Sequence, residues 1–263
     1  MGLPRVDFSR NAKVFDERHG SVISSEILRA LMEVSELRRE ARILDLGAGT
    51  GRVSVPLARA GWEVVALEPS EGMRSTLREK AFGLPVVCVA GEGERVPFRS
   101  SSFDGVVLAR LVYLVHDWRS MLREAIRVSR TNGAVLHEWG NGSADEVWVQ
   151  IRERARRLFQ EAGVAEPFHH GARTEEEVED FLSSCGFRRA REVRFETKSV
   201  MTTGDFLRRI REGEFSYTWE IPAPILGPCL AALEAWTAVR FGLDSAMAFP
   251  REIAWKVYRP ERR

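Results

Sequence analysis

The chain has 263 residues, 44% hydrophobic and 29% charged, with 39 Lys and Arg against 38 Asp and Glu. Such a length suits one large core, the apolar content excludes disorder over most of the chain, and a net charge of +1 argues against a dedicated nucleic-acid binder. Three scattered cysteines, Cys88, Cys185 and Cys229, form neither a disulfide framework nor a zinc ligand set, so a reducing, cytoplasmic setting is expected. The first residues carry charge too often for a signal peptide core, and no run of about 18 apolar residues appears, so no membrane association is expected.

Residues 22–38 place Ile23, Ile27, Leu31, Val34 and Leu37 at helical spacing. Ala41–Leu46 predicts a short buried strand that runs into glycines. Residues 52–60 read as helix, with Pro56 in the first turn. A strand at Glu63–Leu67, a helix at Glu71–Ala81 and a strand at Val86–Ala90 follow. Phe103–Leu108 predicts another strand, and 119–130 a helix with Met121, Leu122, Ala125, Ile126 and Val128 inward. Thr131–Asn132–Gly133 is turn chemistry, and Ala134–Trp139 is again a strand. This alternation means βαβ units and a parallel sheet. Past Gly140, a long helix is expected over 143–162. A capping box, Thr174 with Glu177, opens a helix ending at Cys185. Strands at Arg191–Thr197 and Ile253–Tyr258 flank a helical insertion with a Pro-rich joint at Ile221–Pro224.

The richest segment is Asp45–Leu46–Gly47–Ala48–Gly49–Thr50–Gly51, between a predicted strand and a predicted helix. Glycines there permit a tight turn and let a ligand lie against backbone, and the helix start offers free N–H groups. The spacing is G-x-G-x-G. A dinucleotide fingerprint would place its third glycine where Arg52 stands, and the Gly-Lys-Ser/Thr of a P-loop is absent. Asp45 sits just inside the strand end, where a carboxylate orders the turn or accepts from a ligand amine. Glu68 closes the next strand about 20 residues on, where an acid accepts both hydroxyls of a ribose. A ribose with free hydroxyls and no adjoining pyrophosphate describes S-adenosylmethionine (SAM).

The run ILDLGAGTG, Ile43–Gly51, resembles the first motif of class I SAM-dependent methyltransferases. The resemblance continues through LEPSEGM (67–73), GEGERVPF (91–98), SFDGVV (102–107) and LREAIRVSRTNG (122–133), and so covers 41–139. The branch most similar is that of ubiquinone and menaquinone biosynthesis. The resemblance implies an α/β, Rossmann-like fold: a doubly wound, mostly parallel seven-stranded sheet with helices on both faces and a helical insertion or cover in the C-terminal half. It implies one domain over 1–263, with an N-terminal helical cover (1–40), a SAM-binding core (41–140), and a remainder (141–263) that completes the sheet and covers the substrate. The implied cofactor is SAM and the implied partner a small methyl acceptor, neither nucleic acid nor membrane.

Family roles carry over by position. Gly47, Ala48, Gly49 and Gly51 form the loop against the methionine part, with Asp45 near its amino group. Glu68 holds the ribose hydroxyls, and Pro69 and Met73 pack on adenine and ribose. Glu92 stands where the family more often has Asp, and the backbone of Gly93 completes the adenine contact. Arg110 and Leu111 follow the fourth strand beside the methyl group; Arg110 replaces the small residue expected there. Plainer readings stand beside these. Met73 is also core material. Arg110 either grips an acid of donor or acceptor or pairs with a carboxylate such as Glu138. Phe15 either closes over the cofactor or packs on the first helix.

Methyl transfer from a sulfonium is an in-line displacement that needs alignment in a dry site, and a base only when the acceptor must lose a proton. Tyr113 and His116 are the candidate bases; His116 is also read as an exposed cap before the next helix. His137 is expected to be a hydrogen-bonded core residue. His169–His170 is expected in a loop that lines the pocket, with no third residue spaced for a metal. The Asn/Asp-Pro-Pro-Tyr/Phe motif of amino-nucleobase enzymes is missing, and no cysteine follows strands four or five. The arginine clusters at 152–157 and 188–194 are interleaved with Glu and read as solvated faces before RNA patches. Phe206, Phe215, Tyr217, Trp219, Ile221, Leu226 and Trp236 suggest an aromatic lid for an apolar or aromatic acceptor, or simply core. The competing readings are a SAM- or S-adenosylhomocysteine-binding protein without turnover, an RNA methyltransferase and a dinucleotide oxidoreductase.

Overall fold

The computed structural model describes residues 8, 16, 22–139, 146–164, 171–219 and 221–261. Phe15 and His169–His170 lie outside them. The first half alternates α1 (Ser25–Ser35), β1 (Arg42–Leu46), α2 (Ser54–Arg59), β2 (Glu63–Leu67), α3 (Glu71–Lys80), β3 (Val86–Val89), β4 (Phe103–Ala109), α4 (Trp118–Val128) and β5 (Ser129–Glu138). The second half holds α5 (Glu146–Glu161), α6 (Glu175–Ser184), β6 (Phe187–Thr202), α7 (Thr203–Arg211), α8 (Ala223–Arg240) and β7 (Ala246–Pro260). Helix starts follow local chemistry. Ser24, Ser70, Asp117, Thr174 and Thr202 each accept a backbone N–H of the first turn, which satisfies a donor the helix itself leaves open. In the expected capping box, Glu177 reaches back to the N–H of Arg173 at 3.0 Å, one residue before the cap.

The strands form one seven-stranded sheet in the order β3-β2-β1-β4-β5-β7-β6. Strands β1 to β5 pair in parallel, and β7 runs antiparallel to β5. Strand β1 lies between β2 and β4, so the winding reverses there and a crevice opens beyond the carboxyl ends of β1 and β4. Leu44, Leu46, Val106, Leu108 and Val135 meet Met121, Leu122 and Ala125 of α4 and Val178 and Leu182 of α6 on one face. Ala66 packs with Val55 of α2 and Leu77 of α3 on the other.

Two sequence expectations change. Thr131–Asn132–Gly133 is not a turn but part of β5. Pairing steps from Phe103↔Ser129 to Gly105↔Ala134, so β5 advances five residues against two on β4, and the turn-forming residues are absorbed as a bulge. Strands β6 and β7 are also much longer than their apolar runs suggested. Ladder pairing sustains them where polar residues alternate.

The described residues fall into two compact units, one within 7–140, 171–194 and 254–263, the other within 141–170 and 195–253. The second has its own core, built from Trp148, Ile151 and Phe159 of α5, Phe206 and Ile210 of α7, and Leu230 and Leu233 of α8. The aromatic run suspected as a lid contributes to that core: Phe206 and Ile221 are buried, and Phe215, Tyr217, Leu226 and Trp236 pack against them. Among the described residues no helix is long and apolar enough to cross a membrane, and no cluster of His, Cys, Asp and Glu suits a metal ion.

Candidate active site

The loop after β1 is built by three left-handed glycines. Gly47, Gly49 and Gly51 have φ of +64°, +55° and +88°, a region where a Cβ is penalised. The N–H groups of Gly47 and Ala48 both donate to the carbonyl of Leu67, at 2.8 and 3.1 Å, which ties the loop to the end of β2. A Cβ on Gly47 would stand 2.6 Å from Leu111, and one on Gly51 would strike Leu77. Gly49 differs: a Cβ there would meet nothing within 4 Å. Its open face is room for a ligand lying against backbone.

Glu68 adjoins that opening. Its Oε2 accepts from the N–H of Gly49 at 2.9 Å and its Oε1 from the N–H of Ser70 at 2.9 Å. An ionised carboxylate offers about four acceptor sites, so roughly two remain for a ligand's hydroxyls. The residue is only 6% exposed, and burial raises its pKa against the two backbone hydrogen bonds. Asp45 is also buried and accepts from Ser54 Oγ at 2.6 Å. Burial lifts its pKa to about 6, with Ser54 and the Arg52 charge pulling it back.

Beside the loop lies a group that sequence reading largely missed. Glu138, at the end of β5, is fully buried and pairs with two arginines. Arg52 donates to its Oε2, and Arg110 Nε donates to its Oε1 at 2.8 Å. The backbone N–H of Arg110 also donates to the carbonyl of Glu138 at 2.8 Å. Arg110 has φ +55°, one of three left-handed non-glycine residues described. The pairing of Arg110 with Glu138 is one of the two alternatives the sequence left open; Arg52 stood out there only as a missing glycine. An acid closing an otherwise apolar strand was the available signal.

The other predicted residues divide. Leu111 packs over Gly47. Met73 is 2% exposed and its N–H donates to the cap Ser70, so it has the burial of a core residue. Pro69 and Glu92 are exposed. Gly93 is needed for packing, since a Cβ there would lie 2.8 Å from Met121. Tyr113 is half-buried, meets Trp139 edge to face at 5.6 Å, and its carbonyl accepts from Gly171 at 3.1 Å. His116 is exposed, and Asp117 rather than His116 caps α4.

His137 overturns its expectation. It is fully buried, yet neither ring nitrogen has a hydrogen-bond partner among the described residues. Glu175 Oε1 is 3.8 Å from its Nδ1, while Lys256 pairs with Glu175 at 3.0 Å and Glu179 at 3.4 Å. Burial, helped by the Lys256 charge, lowers its pKa to about 3. The arginine clusters behave as solvated faces. Arg156 and Arg157 pair with Glu153, Arg189 with Glu192, and Arg191 with Glu36.

Comparison with known proteins finds methyltransferases. The model of a family described as "Methyltransferase domain" matches residues 44–137. A demethylmenaquinone methyltransferase of Streptomyces griseus is 35% identical over 108 residues, 41% of this chain and 46% of that protein. The chain thus spans about half the length of the curated relatives it matches. Among solved structures, the YcgJ protein of Bacillus subtilis superposes with a TM-score of 0.62 at 18% identity, over 91% of this chain and 100% of that one. Phosphoethanolamine N-methyltransferase 2 of Haemonchus contortus, solved with S-adenosylhomocysteine, gives 0.55 at 16% identity, over 96% of this chain and 58% of that one.

Proposed function

We propose that this chain, whose residues 44–137 carry the methyltransferase domain, binds SAM at the carboxyl ends of β1 and β2 and methylates a small apolar or aromatic molecule. The observation that carries the reading is the open face of Gly49 beside a buried acid with spare acceptor capacity, Glu68. Asp45 then receives the donor's ammonium, Glu68 its ribose hydroxyls, and the backbone of Gly47–Gly49 its methionine part. When bound, SAM supplies a methyl group already activated by its sulfonium. The protein's own work is to align the acceptor and exclude water. Tyr113 and Trp139, edge to face after β4 and β5, offer an apolar wall for the acceptor. Tyr113 takes the proton where the acceptor loses one; exposed His116 is the weaker candidate.

An acceptor of quinone type is the class suggested by the names of the relatives that share residues of the core. The paired arginine faces favour a small molecule over RNA. Three free cysteines suit a reducing cytoplasm. Calorimetric titration with SAM and S-adenosylhomocysteine tests the donor, with binding of both expected. Labelled methyl-SAM incubated with a metabolite extract tests turnover, with label expected in an organic product. No heat at millimolar nucleoside would refute the reading, and binding without label in any product would favour a non-catalytic role.

A further inference from the structure

We infer that Arg52 and Arg110 form a two-guanidinium fork that receives a carboxylate in the crevice, with Glu138 as the positioning residue that holds both. The inference rests on the donor reading above and names what the amino-acid end of that site recognises.

One guanidinium neutralises one carboxylate. Here two share the single buried Glu138, and among the described residues no other carboxylate is hydrogen-bonded to either. A guanidinium has five N–H donors, so most remain available on both arginines. Their side chains keep 14% and 18% exposure while Glu138 has none, so the fork is reachable and its holder is not. An ion triad around a buried acid is not by itself a stabilising device, and a second half-buried cation has no evident structural purpose. The backbone supplies an independent sign. Arg110 stays in the left-handed region, at φ +55°, where glycine would be at ease. Strain of this kind persists where a site needs the side chain.

The charges also alternate as a ligand would require. Arg52 lies within electrostatic range of Asp45 as well as of Glu138. An acid beside a pair of guanidiniums complements a zwitterion, ammonium toward Asp45 and carboxylate toward the fork. An acid on the methyl acceptor has the same chemistry, and experiment separates the two sources.

The probes are S-adenosylhomocysteine and 5′-methylthioadenosine, which lacks the amino-acid end, titrated into the parent, Arg52→Gln and Arg110→Gly. Arg110→Gly relieves the left-handed backbone and leaves Arg52 to neutralise Glu138. Unchanged methylthioadenosine affinity is the internal control for an intact site. We expect S-adenosylhomocysteine to weaken roughly 10- to 100-fold in both variants, the worth of a charge-assisted hydrogen bond, with methylthioadenosine unmoved. That result assigns the fork to the donor. If both nucleosides are unmoved but benzoate binding, with or without S-adenosylhomocysteine present, is lost in the variants, the fork serves an acid of the acceptor. If neither nucleoside affinity nor benzoate binding changes, the inference is overturned and the arginines serve only Glu138. If the parent binds neither nucleoside, the donor reading fails separately, and the benzoate arm still decides the fork.

Discussion

Replacing His137 by Leu should stabilise the protein, and more so in acid. The folded chain keeps this imidazole neutral, with its pKa lowered from 6.5 to about 3 by burial and the Lys256 charge. The unfolded chain takes up a proton from about pH 6.5 downward while the folded one does not, so stability is full above that pH and is lost as pH falls toward 3. Between pH 7.5 and pH 5 the linkage amounts to about 2 kcal/mol. This is an upper value, because Glu175 Oε1 at 3.8 Å would favour any protonated fraction. At neutral pH, two buried nitrogens without partners add a desolvation cost of about 1 kcal/mol or more that Leu does not carry. Urea unfolding followed by tryptophan fluorescence, at both pH values, reads the difference between His137→Leu and the parent. Glu175, Glu179 and Lys256 face the same site in both proteins, so the difference isolates His137. The gap should open by about 2 kcal/mol on acidification, on the order of 5 °C in Tm. Parallel pH profiles would refute the reasoning and mean that His137 takes up its proton as readily in the folded chain as in the unfolded one, and a gap that closes in acid would mean that Glu175 favours the charged form.

Three further outcomes follow from the site. Glu68→Ala removes the acceptor for the N–H groups of Gly49 and Ser70, so it should cost about 2 kcal/mol of stability as well as most nucleoside affinity. Thermal unfolding and calorimetry read the two, and an unchanged Tm would contradict the role of Glu68 in holding the loop. Gly49→Ala meets no steric obstacle and should cost about 1 kcal/mol for its left-handed φ, yet S-adenosylhomocysteine affinity should fall far more. Full affinity in that variant would move the ligand away from this face. Asp45 has its pKa raised to about 6, so the ligand-free protein should lose stability as pH rises from about 4 through 6, where the buried acid ionises. Donor affinity should rise over the same interval, because the ammonium needs the ionised form; affinity flat between pH 5 and 7.5 would remove Asp45 from that contact.

Much of this protein was legible residue by residue. The strand Glu63–Leu67 and the helix from Glu71 were evident because buried parallel strands are short apolar runs and helix caps are local chemistry. The glycine loop and Glu68 were evident too, since a tight turn and a strand-end acid are set by a few neighbours. The bulge in β5 was not, because turn-forming residues are overridden when a ladder continues on both sides. Nor was the meeting of Arg52 with Glu138, which are 86 residues apart in sequence. Arg52 follows the glycine loop after β1 and Glu138 ends β5, and only the strand order places β1, β4 and β5 side by side. The fate of His137 was likewise tertiary: alternation told that it is buried, but which polar groups surround it depends on β7 and α6. Local propensities write the elements and their caps, whereas charges find their partners through the sheet that assembles them.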